Sequence, residues 1–88
     1  MKYRDLQERF KIKIGEKVKI VHKPTEYEIK HIWQNGWVDE EMDPTIGLMG
    51  TVINIGNTGI LVSVPDHPGP NWQKGCWAYP YFSLAIIR

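Results

Sequence analysis

Eighty-eight residues with 42% hydrophobic and 24% charged side chains suit one folded domain and exclude a disordered chain. The formal net charge of +1 excludes a generally basic protein, yet the charge is unevenly spread: residues 1–30 carry nine Lys or Arg against five acids, residues 31–88 two against five. One cysteine, Cys76, makes no internal disulfide, no apolar run is long enough to span a bilayer, and no leader-like segment opens the chain, so a cytoplasmic protein is expected.

Tyr3, Leu6 and Phe10 recur at spacings of three and four, which predicts a short N-terminal helical or irregular arm over 1–10 ahead of a domain over 11–88. From Lys11 the pattern changes to period two. Ile12, Ile14, Val18 and Ile20 fall on one side and Lys11, Lys13, Lys17 and Lys19 on the other, with Gly15-Glu16 as a turn or bulge. A first strand is therefore placed at Lys17 to Val21. The lysines read as a solvated face that discourages edge-to-edge pairing. Alternatively, with Lys23, they form a phosphate-binding stripe.

Pro24 ends this strand, lacking a donor and restraining the residue before it. Tyr27, Ile29, His31 and Trp33 alternate with polar neighbours, which suits a second short strand or an extended arm. Gln34-Asn35-Gly36 turns the chain, and Trp37-Val38-Asp39-Glu40-Glu41-Met42-Asp43-Pro44 follows as an acidic loop. Excursions of this length between strands of a compact domain are usually functional.

Two runs of β-formers, Thr51 to Ile55 and Ile60 to Val64, flank Gly56-Asn57-Thr58-Gly59. This is a hairpin signal, since Gly and Asn tolerate the positive φ that tight hairpin turns favour. Three prolines and a glycine between Pro65 and Asn71 predict an irregular loop. A fourth strand is expected around Trp77 to Tyr79, a tight turn at Pro80 to Ser83, and a closing strand from Leu84 to Ile87. The fold class is thus all-β: a small five-stranded barrel with a long first loop.

Four segments carry a resemblance: "IGEKVKI" at 14–20, "W…W…MD.TIG" at 33–47, "GTV..I...GILV" at 50–62 and "W.YP..SL..I" at 77–87. In order and spacing they resemble the mind bomb-type SH3-like domains, modules of ubiquitin ligases that engage substrate tails, and still more the small proteins of tailed phages and bacteria on that fold. The resemblance implies a five-stranded SH3-like barrel acting by protein contact, and for a phage protein a modulator of a host factor in the host cytoplasm. Its matching positions, among them Gly15, Val18, Trp37, Met42, Asp43, Gly47, Gly50, Gly59, Trp77, Pro80 and Leu84, are mostly fold-forming. A loop from Pro65 to Gly75, carrying Trp72, is an enlargement on the plain pattern.

The expected function is non-enzymatic binding of a protein or peptide. Trp33, Trp37, Asp39, Glu40, Glu41, Asp43, Trp72, Tyr79 and Tyr81 are the candidate partner-binding residues, flat rings beside carboxylates suiting an extended basic peptide. The plain counter-reading puts Trp37 and Trp77 in the core. A narrower form is an aromatic cage for methylated lysine built from Trp33, Trp37 and Asp43. Nucleic acid is the alternative partner, with Lys11, Lys13, Lys17, Lys19 and Lys23 tracking phosphates. Cys76 with His67 offers no recognised catalytic arrangement, and His22, His31, His67 and Cys76 lack metal-ligand spacing, so neither catalysis nor a cofactor is expected.

Overall fold

A computed structural model describes residues 3–34, 36–65 and 76–87, with Glu41 described by its backbone alone. Five strands form one antiparallel sheet in the order β4-β3-β2-β1-β5. They are β1 (Lys17–Ile20), β2 (Met49–Gly56), β3 (Gly59–Ser63), β4 (Cys76–Tyr79) and β5 (Leu84–Ile86). Among the described residues three short α-helices accompany them: α1 (Tyr3–Phe10), α2 (Glu26–His31) and α3 (Asp39–Met42). Among the described residues no pairing joins β4 to β5, so the sheet is open there. No helix among them is long and apolar enough to cross a membrane.

The period-two pattern explains which face is buried. On β1, Val18 and Ile20 point inward while Lys17 and Lys19 point out. They pack with Val52, Ile60, Val62, Val64, Tyr79 and Leu84, and Met42 and Ile12 close the core from outside the sheet. The alternation fails at Ile14, which is 63% exposed. The chain turns at Ile14-Gly15, and Gly15, at φ 95°, redirects it before the strand begins. The lysine stripe has a different setting from the expected one. β1 pairs with β2 on one side and β5 on the other, so its lysines guard no edge.

The hairpin joins Gly56 to Gly59 across Asn57-Thr58, as the two β runs require. It turns without any residue at positive φ; among the described residues these are Lys11, Gly15, Gly36 and Gly47. A register shift between Val52 and Asn54 accompanies this turn. Bulges add local twist, which offsets the splay that an ordinary turn imposes on a two-residue hairpin.

Two stretches, one expected to be extended and one expected to be a loop, are helical. Residues 26–31 form α2 because Thr25 and Glu28 make a capping box: the Thr25 hydroxyl accepts from Glu28 N–H (3.1 Å) and the Glu28 carboxylate accepts from Thr25 N–H (2.8 Å). The alternation of Tyr27, Ile29 and His31 also places Tyr27 and His31 four apart, and their rings meet at 4.6 Å. The acidic stretch expected as a loop forms α3, which runs on into a 3-10 turn over Asp43–Thr45.

The N-terminal arm is helical and docks through side chains. Tyr3 donates from Oη to Gln7 Oε1 (2.6 Å), and Gln7 donates from Nε2 to the Gly56 carbonyl (2.6 Å). Tyr81 N–H donates back to Tyr3 Oη (2.9 Å). Burial pushes the Tyr3 phenol well above its usual pKa.

Candidate functional site

The segment between β1 and β2 is tied into one unit by short polar contacts. Trp37 donates from Nε1 to Asp43 Oδ1 at 2.6 Å, bridging the start of α3 to the 3-10 turn that follows it. Its ring stands edge-on to Tyr79, centroids 5.7 Å apart at 71°. Thr45, fully buried, donates from Oγ1 to the Met42 carbonyl (2.6 Å). Its single proton is thereby committed, so at 2.8 Å the Tyr79 hydroxyl is the donor to Thr45. Burial pushes the Tyr79 phenol up to about 12. Lys23 and Asp39 form an ion pair at 2.6 Å that fastens α3 to the chain leaving β1, and Asp39 raises the Lys23 pKa. Both partners are substantially exposed, so this pair orients more than it stabilises.

Changing Thr45 to valine preserves shape but removes two hydrogen bonds and leaves Tyr79 Oη buried without an acceptor. Unfolding in urea should show a loss of about 1–3 kcal/mol. A variant with unchanged midpoint would mean this polar pair does not fix the segment.

The outer surface of this unit is mixed. Val38 and Ile46 are exposed large apolar side chains. Glu40, Asp43 and Pro44 are exposed around a half-buried Trp37. Of the candidate residues, the structure gathers Trp37, Asp39, Glu40 and Asp43 here, with Tyr79 as buried support beneath Trp37. The Glu41 side chain and Trp72 lie outside the described residues.

Two candidates sit elsewhere. Trp33 is 1% exposed, and its Nε1 donates to the Thr58 carbonyl at the hairpin tip (2.6 Å). Its ring is structural here and cannot form a cage with Trp37 and Asp43 as placed. Tyr81 belongs to a second aromatic group under α1, 5.7 Å from Tyr3, 5.6 Å from Phe10 and 5.3 Å from Phe82. Trp77 packs half-buried against the core.

The lysine set also divides. Lys11, Lys13, Lys17 and Lys19 are exposed, whereas Lys23 is engaged with Asp39. Sequence reasoning missed two concavities. One, of about 380 Å³, lies between α1 and the hairpin tip, lined by Tyr3, Arg4, Ile32, Trp33, Gln34, Asn57 and Thr58. The other, of about 400 Å³, lies on the outer sheet face at Lys17, Met49, Gly50, Thr51, Pro65 and Ile87. The signal for the second was present: Met49 and Thr51 continue the period-two pattern of β2 backward from Val52.

No family model matches this chain, and no curated protein or solved structure matches it.

Proposed function

We propose that this chain is a non-enzymatic SH3-like barrel module that binds a basic segment of a protein partner through the surface of residues 37–46. The strand order supports the barrel reading: β5 returns beside β1, which brings the two ends of a five-strand meander toward closure. The observation that carries the binding reading is the Trp37–Asp43 bond. It holds an aromatic face half-open while leaving carboxylates beside it. Val38 and Ile46 give aliphatic contact, and Glu40 and Asp43 give charge to meet Lys or Arg. Preorganised rings beside acids lower the ordering cost that a flexible peptide imposes on binding. Relative to the wider residue set, the surface is smaller: Trp33, Tyr79 and Tyr81 support the fold rather than the contact.

Selection from a displayed random-peptide library tests it. Retained peptides should be enriched in Lys or Arg beside apolar residues, and their affinity should fall about tenfold or more in a Glu40→Lys/Asp43→Asn variant. Salt should weaken them only modestly, because few charges are involved. Peptides without basic residues, or binding indifferent to both substitutions, would sink the reading.

A further inference from the structure

The outer face of the sheet carries an arrangement that the 37–46 surface does not use. Lys17 and Lys19 project from β1, which has β2 on one side and β5 on the other. In register they face Thr51 and Met49 on β2, and Lys19 faces Ala85 on β5. None of these neighbours is acidic, and neither lysine makes an ion pair among the described residues. Beside them Met49 is 60% and Ile87 40% exposed. These apolar side chains, with Thr51 and Pro65, border the groove of about 400 Å³. Uncompensated cations next to open aliphatic surface are the complement of an acidic segment that also carries an aliphatic anchor.

We infer that this face is a second docking surface, for an extended acidic peptide of a partner protein. The pitch of the cations favours peptide over nucleic acid. Same-face side chains two apart on a strand are about 7 Å apart, and an extended ligand presents carboxylates at positions i and i+2 with the same spacing. Phosphates would be met by more cations, and bases by rings. Among the described residues the groove is lined instead by Met49, Pro65 and Ile87 with Lys17, Gly50 and Thr51, none of them aromatic. A ligand strand laid along β1 therefore sets one carboxylate on Lys17 and one on Lys19, and seats an aliphatic side chain between Met49 and Pro65. This surface is independent of the proposed 37–46 contact, which attracts the opposite charge.

The test is an amide-NMR titration with a synthetic extended peptide carrying two glutamates two residues apart and a leucine two residues beyond the second, on the same face. The expected shifts fall on residues 17–19, 49–51 and 85–87. Affinity should drop about tenfold in Lys17→Glu/Lys19→Glu and fall again in Met49→Asp, all variants keeping the wild-type circular dichroism melt. An oligothymidylate of equal charge should bind more weakly at the same residues. The inference is overturned by absence of shifts at millimolar peptide, by shifts confined to 37–46, or by tighter oligonucleotide binding on this face. It is equally overturned if sedimentation shows the face covered by a second copy of the chain, with dimerisation lost in the same variants. Glu40→Lys/Asp43→Asn should leave this titration unchanged, which separates it from the 37–46 reading.

Discussion

Replacing Trp33 with alanine should cost about 3–5 kcal/mol, roughly half of the 5–10 kcal/mol or so that holds a domain of this size together. The ring is buried, and its Nε1–H reaches the Thr58 carbonyl at the tip of the β2–β3 hairpin. Removing it leaves a large cavity and unpins the hairpin from the chain that follows α2. Trp33→Phe separates these effects: it keeps most of the volume and gives up the hydrogen bond, at about 1 kcal/mol beyond any repacking. Denaturant unfolding followed by circular dichroism reads both. A wild-type midpoint for the alanine variant would contradict the structural role of this ring.

The second large effect is expected at Gly50. A Cβ built there lies 2.5 Å from the Ser63 carbonyl oxygen and 2.6 Å from Val62 Cγ1, so β2 and β3 must move apart to admit it. Gly50→Ala should therefore lose about 3 kcal/mol or more, the upper end of what overpacked cores cost. The contrast is Gly15, where nothing lies within 4 Å but φ is +95°. Gly15→Ala meets only the backbone penalty, about 1–2 kcal/mol. If the two variants melt alike, contact across β2–β3 is not what selects glycine at position 50.

The strands were legible in the sequence because their burial follows a period of two that no helix shares. Val18 and Ile20, and Val52 against Ile60 and Val62, carry it plainly. The turn at Ile14-Gly15 broke that logic locally, and Ile14 left the core. At α2, Tyr27, Ile29 and His31 fit an extended reading and an i, i+4 helical one at once. Thr25 and Glu28 decide the matter through a capping box that the extended reading left out of account. The candidate surface was less legible because the role of each tryptophan depends on contacts far along the chain. Trp33 is claimed by Thr58, while Trp37 stays half-open against Tyr79 and Asp43. Ring count and loop position cannot distinguish these outcomes.

The pairing of β1 with β5 sets the folding clock. Val18 lies beside Ile86 and Ile20 beside Leu84, so the strand that forms first in synthesis gains its second neighbour only after residues 84–86 are made. Such far-separated pairings carry a loop-closure cost before they return any stabilisation, and domains dominated by them fold in milliseconds to seconds rather than microseconds. During translation the early half of this chain must therefore wait with Val18 and Ile20 uncovered on that side. In that interval Lys17 and Lys19 are the feature that would discourage one nascent strand from joining another, although in the folded sheet β1 has no free edge.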